Sequence, residues 1–363
     1  MRNLNPMLHQ VLWDWYQMYS KDHTIGKFQE SRDTLTHNRT QIISRLIHEF
    51  PKSYVESYNI YSDLFNQNEI FEIYDHLEEI NILSLATGSG GDVFGLIQAL
   101  ETYFIGKKIN VFSVEGNQDA LKNQENLFKK HIELSLIHNK VKLFPIVLTI
   151  DYDFFNLKTL FEDVYFKQKN AKSFDIIQSS KWMTEDSVRE KIRFYDYYRL
   201  INQWLGTDRI ATLLEYADPK GPFKFEQQLP FYALDDFAFF CKQNRRFNQL
   251  AAITPTPCIA RRMNNSHLNQ CRGCISCYDE FEVITKLPCK KTYKREKTYA
   301  FVMKFVTGKL AAAMTQKLQD VTVEYLTVPS REGDAEKYCC LDSKESISTQ
   351  GNGFRLSQKK TKK

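Results

Sequence analysis

Two sets of residues in this chain have the types and spacing that site chemistry needs. Gly88, Gly90, Gly91 and Gly95 fall within eight residues of a chain that has only 14 glycines. They follow a short apolar run and open an amphipathic stretch, so they mark a strand-to-helix turn. Glycine there permits positive φ and close backbone approach to a ligand, and the helix N-terminus favours an anionic group. Gly88-Ser89-Gly90-Gly91-Asp92 is therefore expected to cradle a nucleotide or nucleotide-like cofactor. The next apolar run ends in Val114-Glu115-Gly116-Asn117, which puts the Glu115 carboxylate where it accepts hydrogen bonds from a ribose diol. The dinucleotide fingerprint needs a sixth-position glycine, and counting from Gly88 that position is Val93. No Gly-Lys-Ser or Gly-Lys-Thr follows, which argues against ATP hydrolysis.

The second set is Cys258, Cys271, Cys274 and Cys277, half of the chain's eight cysteines. Four thiolates in a short polar segment suit tetrahedral zinc or an iron–sulfur cluster. The repeated two-residue gap leans toward iron and sulfur, because zinc sites more often use two separated pairs. Cys289 is an alternative ligand to Cys258. His267 is a weaker candidate, since a histidine in a polar loop is usually solvated. Eight cysteines with no secretory apolar segment point to reduced thiols rather than a disulfide framework.

The elements that position these residues read as follows. Residues 1–79 are a helical region, with Leu8, Val11, Leu12 and Trp15 at helical spacing and a further helix opening at Pro51. Residues 80–257 alternate apolar runs with longer amphipathic stretches, the pattern of a parallel α/β sheet. The runs are Asn81 to Ala86, Ile109 to Val114, Val141 to Ile150, Phe174 to Gln178 and Arg209 to Glu215, with another at Phe247 to Ile253. A Cys-rich metal-binding insertion occupies 258–297, final strands occupy 298–341 (Thr298 to Val306 and Val321 to Val328), and 342–363 is expected to be a disordered basic tail.

Composition narrows the function class. A hydrophobic content of 42% excludes disorder over most of the length. No apolar run approaches the roughly 20 residues of a membrane span, and a cytoplasmic address is the default expectation. The net charge of +5 resides in the last thirteen residues, where Arg355, Lys359, Lys360, Lys362 and Lys363 meet no acid. Residues 258–298 carry nine Lys and Arg against four acids. Both excesses suit phosphate backbones, so RNA or a ribonucleoprotein is the expected partner, with a protein substrate as the other option.

On these motifs the chain resembles the class I S-adenosylmethionine (SAM)-dependent methyltransferases over roughly residues 80–306. Ile82 through Asp92 is similar to their first motif, and Val111-Phe112-Ser113-Val114-Glu115 to their ribose-binding second. The resemblance implies a Rossmann-like sheet, SAM as cofactor, and an acid after the third strand at Asp151 or Asp153 that contacts adenine. It also implies that Phe174 to Trp182, including Ser179, forms a fourth strand ending at the transferred methyl. Where that family commonly has an acid two residues before the first glycine, this chain has Ala86. No catalytic base stands out; transfer from a sulfonium to a good nucleophile works by alignment. The helical start, Pro257-Cys258 and the strand after the cysteines also distantly resemble the methyltransferase-like assembly factors of the mitochondrial small ribosomal subunit. That likeness implies a mitochondrial address and a non-catalytic assembly role as alternatives.

Overall fold

The computed structural model describes residues 6–20, 37–134, 138–150, 154–166, 173–183, 185, 188, 191–216, 224–243, 250–254, 278–285, 294–319, 325–328, 337–340 and 346–349. The chain divides into two units, the first comprising Met1–Ile192 with Phe281–Thr298, the second Arg193–Glu280 with Tyr299–Lys363.

The first unit begins with four helices, α1 (Pro6–Ser20), α2 (Arg39–His48), α3 (Phe50–Phe65) and α4 (Asn68–Asp75). The α2 start is a capping box: Asn38 Oδ1 accepts from the Gln41 amide and Gln41 Oε1 from the Asn38 amide. Strands β1 (Glu79–Leu85), β2 (Lys108–Glu115), β3 (Lys140–Val147) and β4 (Phe174–Ser180) follow, with α5 (Gly91–Tyr103) and α6 (Gln118–Glu133) as crossovers. All pairings among these strands are parallel, in the order β3-β2-β1-β4. β1 is buried on both faces, as a central parallel strand must be. β3 alternates between half-buried and exposed and contains Pro145, features an edge strand tolerates. Chain order runs outward from β1 to β3 and then resumes on the other side at β4. The carboxyl ends of β1 and β4 are thus a topological switch point, where open α/β sheets place their ligands.

α3 is buried on most of its surface and lies along α5. The approach is close because α5 presents Gly91 and Gly95, one turn apart. A Cβ on Gly91 would sit 2.6 Å from the Phe50 carbonyl oxygen, and one on Gly95 would overlap the Tyr54 carbonyl oxygen. Aromatic rings close the layers: Phe50 meets Phe94, while Phe112, Phe161, Tyr165 and Phe174 pack together behind the sheet. A short helix α7 (Phe155–Lys158) continues as a π-helical segment, Thr159–Tyr165.

The second unit carries α8 (Phe194–Trp204), β5 (Leu205–Tyr216), α9 (Lys224–Gln243), β6 (Ala251–Thr254), most of β8 (Lys294–Val306) and α10 (Gly308–Gln319). β8 runs antiparallel to both β5 and β6. Tyr197 and Tyr198 are buried and donate to the Thr212 and Ala233 carbonyls, so their hydroxyls cost little desolvation. The described strands make a mixed α/β, Rossmann-like fold, all parallel among β1 to β4 and antiparallel between β8 and its partners β5 and β6.

Several elements differ from the sequence expectation. Strand β7 (Asp279–Thr285) lies inside the segment read as the Cys-rich insertion and pairs with β8; its alternating Phe281 and Val283 are buried while Glu280 and Glu282 are not. Within the tail expected to be disordered, β11 (Ser346–Thr349) pairs antiparallel with β6. A four-residue run with a single apolar side chain, Ile347, gives composition too little signal, and the open edge of β6 supplies the partner. Tyr325–Val328 forms β9 and pairs with β10 (Lys337–Cys340) in a separate two-stranded sheet. No described helix is long and apolar enough to cross a membrane.

Candidate active site

The turn after β1 is built from backbone that only small residues tolerate well. Gly88 and Gly90 have φ of 51° and 88°, and Ala86 also sits in the left-handed region at 52°. That conformation costs a residue with a Cβ about 1–2 kcal/mol. Gly90 caps α5, and its amide donates to the Thr87 carbonyl at 2.8 Å. A Cβ on Gly90 would strike the Gln124 side chain at 2.6 Å, whereas one on Gly88 would meet nothing within 4 Å. Gly88 therefore faces an open side of the turn, and Gly90 its packed side. Beneath it, Ser113 Oγ donates to Gln124 Oε1 at 2.8 Å and lies 2.8 Å from Thr87 Oγ1.

Glu115 ends β2 next to this turn. One carboxylate oxygen accepts the Gly88 amide at 2.7 Å and the other the Asn117 amide at 2.8 Å. Burial, with Glu115 4% exposed, raises its pKa, and the backbone donors pull the other way. A carboxylate has about four lone-pair sites, and with the Gly88, Gly116 and Asn117 amides drawing on them, acceptor capacity for a hydroxyl group is left. Asn117 caps α6 through Oδ1 and donates from Nδ2 to the His37 carbonyl at 3.1 Å. The N-terminal region thus reaches the end of β2, a link that sequence spacing did not reveal.

The predicted residues separate into two groups. Gly88, Ser89, Gly90 and Glu115 come together at the turn. Gly91 and Asp92 face elsewhere: Gly91 packs on α3, and Ser57 Oγ donates to the Asp92 carbonyl at 2.7 Å. The Asp92 carboxyl is 3.4 Å from Gln178 Nε2, and burial pushes its pKa up to about 7 against the pull of backbone amides and Lys181. Ser179 is buried at the end of β4, where the Trp182 indole N–H donates to its hydroxyl.

The next residue but one, Lys181, was not singled out from sequence. It follows β4 with φ of 59°. Its ammonium pairs with Glu56 of α3 at 2.5 Å and donates to Ser53 Oγ at 3.3 Å. The other Glu56 oxygen accepts from the Thr298 hydroxyl at 2.9 Å. Burial disfavours the ammonium, but Glu56 and Glu49 outweigh it and hold the Lys181 pKa above its ordinary value. Glu49 is correspondingly lowered, because Lys181 and Lys52 overcome its own burial. Lys181 could have been suspected only from its place directly after an apolar run; nothing near Glu56 in the chain marks it as a buried acid.

Asp151 and Asp153 lie outside the described residues, as do Cys258, Cys271, Cys274, Cys277, Cys289 and His267. Among the described residues no group of three or more His, Cys, Asp and Glu side chains is placed to hold a metal ion.

No family model and no curated protein matches the sequence. Solved structures do match at low identity. The plantazolicin methyltransferase BamL, in complex with a triazolic desmethylPZN analog and SAH, is 11% identical over 83% of this chain and 99% of its own, with a TM-score of 0.38. A putative O-methyltransferase from Klebsiella pneumoniae is 8% identical over 83% of this chain and 99% of its own, with a TM-score of 0.32. A putative methyltransferase from Bacillus halodurans C-125 is 12% identical over 66% and 97%, with a TM-score of 0.30.

Proposed function

We propose that this chain is a SAM-dependent methyltransferase acting on RNA or a ribonucleoprotein. The observation that carries the reading is the Glu115 carboxylate, bonded to the Gly88 amide at the turn beside the switch point of a parallel sheet. The residues present fit a nucleoside cofactor: the turn is open over Gly88, and Glu115 has acceptor capacity left for a ribose hydroxyl. When bound, SAM supplies an activated methyl group on a sulfonium. The chain's own part is to align it. Glu115 and the Gly88 turn hold the nucleoside, and the end of β4 at Ser179, fixed by Trp182, walls the side from which the acceptor approaches. Alignment of this kind accounts for a large share of a transfer barrier without a general base.

Supporting an RNA substrate are the two basic excesses, in residues 258–298 and in the last thirteen residues; neutralised phosphates would give sequence-independent affinity. The four clustered thiols are read as one zinc or iron–sulfur centre. A second reading, a non-catalytic methyltransferase-like binding or assembly factor, is favoured by one observation, Ala86 in place of the expected acid.

Calorimetric titration with S-adenosylhomocysteine (SAH) tests the cofactor. Wild type should bind, and Glu115→Ala should weaken binding by about ten-fold or more, the scale of a lost charge-assisted hydrogen bond. No binding by wild type, or equal affinity in both, would overturn the assignment. Bound SAM without transfer to any RNA or protein acceptor would favour the assembly-factor reading.

A further inference from the structure

We propose that Lys181 binds the carboxylate at the methionine end of the cofactor, with Glu56 and Ser53 as the groups that position its ammonium. This rests on the methyltransferase reading above and gives a role to Lys181, at the end of the fourth-strand segment, and to Glu56 and Ser53, which no sequence motif contains.

Four observations converge on Lys181. It is the first residue beyond β4, at the switch point, and β1 on the neighbouring side leads into the glycine turn. Its backbone is left-handed, φ 59°, in a residue with a long side chain. Such outliers persist where the surroundings hold them and concentrate at ligand sites. The side chain is only 16% exposed, so the ammonium is withdrawn from bulk water. Finally, an ammonium has three N–H donors. One goes to Ser53 Oγ at 3.3 Å, Glu56 Oε2 lies 2.5 Å from the nitrogen as its ion-pair partner, and no further acceptor is found among the described residues.

Glu56 is the fixed end of this arrangement. It is 1% exposed, and its second oxygen is occupied by the Thr298 hydroxyl, so it holds Lys181 in one place instead of following it. The Lys181 charge persists through neutral pH because Glu56 and Glu49 raise its pKa despite burial. A sheltered, charged donor with capacity left among the described residues, following β4 where Ser179 pairs with Leu85 at the start of the glycine turn, recognises an anionic oxygen. SAM has one anionic group, its carboxylate. With no acid at Ala86 to take the neighbouring ammonium group, the carboxylate is the remaining handle by which that end is oriented. The other source of an anionic oxygen, the methyl acceptor, predicts a different outcome below.

The probes are SAH and its decarboxylated analogue, S-adenosyl-3-thiopropylamine, titrated calorimetrically into the full chain. Wild type should bind SAH about ten-fold or more tightly than the analogue, since a charge-assisted bond is at stake. Lys181→Met should reduce that preference to within about two-fold, chiefly by weakening SAH. Removing the ammonium alone leaves Glu56 buried and unpaired, so the double variant Glu56→Gln/Lys181→Met serves where the single variant does not fold. If wild type binds SAH but shows no preference, or the variants keep it, Lys181 does not bind the cofactor's carboxylate and serves the acceptor or the fold. If wild type binds neither compound, the methyltransferase reading itself fails.

Discussion

Replacing Gly95 by alanine separates two physical effects that predict opposite signs. Gly95 lies within α5. In a helix interior alanine is favoured over glycine by about 1 kcal/mol, so propensity alone predicts a more stable protein. Packing predicts the reverse. The added methyl would overlap the Tyr54 carbonyl oxygen and lie 2.9 Å from Ser57 Cβ and 3.0 Å from the Tyr58 amide nitrogen. Two of these three are backbone atoms of α3, which cannot rotate away, so the helix itself must retreat by several tenths of an ångström. Retreat strains the Ser57 Oγ bond to the Asp92 carbonyl and the Lys181–Glu56 pair. Overpacking of this kind costs about 1–3 kcal/mol, and the broken buried bond adds about 1 kcal/mol. After the propensity gain is subtracted, Gly95→Ala should be destabilised by roughly 1–3 kcal/mol. Urea unfolding followed by circular dichroism reads this as a lower midpoint at unchanged slope. A variant as stable as wild type, or more stable, would show that α3 does not lie against α5 at this distance, and the account of Gly91 and Gly95 as packing glycines would fall.

Three further outcomes are expected. His131 is buried beside Phe94, and burial lowers its pKa from 6.5 to about 4, so its stabilisation is present above pH 6.5 and is lost as pH falls toward 4, about 3 kcal/mol in all. Asp92, raised from 3.8 to about 7, acts oppositely and loses stability as pH rises across that span. His131→Phe should therefore become less stable on going from pH 4.5 to 6.5, and Asp92→Asn more stable, each relative to wild type by urea midpoint; profiles parallel to wild type in both would contradict the burial of these groups. Protein purified anaerobically should carry stoichiometric zinc, or iron with acid-labile sulfide, and Cys274→Ser should lose it by elemental analysis; a metal-free wild type would leave the four thiols as ordinary residues. Deleting residues 351–363 should weaken RNA binding and flatten its salt dependence, because fewer phosphates are neutralised; an unchanged slope would assign the tail to solubility.

The glycine turn after β1 was legible in sequence because every signal for it is local. A short apolar run, glycines at the following turn, an amphipathic stretch and an acid at the next strand end lie within about forty residues, and each is set by backbone conformation or by two-fold against helical periodicity. The same locality explains what was missed. β11 is four residues long and its partner β6 lies some ninety residues earlier, while β7 falls inside a segment whose cysteines and polar residues mask a strand signal, although its partner β8 follows closely. Composition around them carries no mark of that pairing.

Sequence alone determined that a strand, a glycine turn and a helix would place Glu115 beside Gly88, and the 2.7 Å bond between them is the outcome. It did not separate the four glycines by purpose. Gly88 and Gly90 are required by positive φ, a property of the turn itself, whereas Gly91 and Gly95 are required by the carbonyl oxygens of α3, some forty residues earlier in the chain. Nor did it pair Lys181 with Glu56 and Thr298, since a buried ion pair is recognisable only once the fold has removed water from both partners. Backbone conformation is dictated residue by residue; close approach and desolvation belong to the packed structure, and those two decided which glycines pack, which lysine is held and which acid holds it.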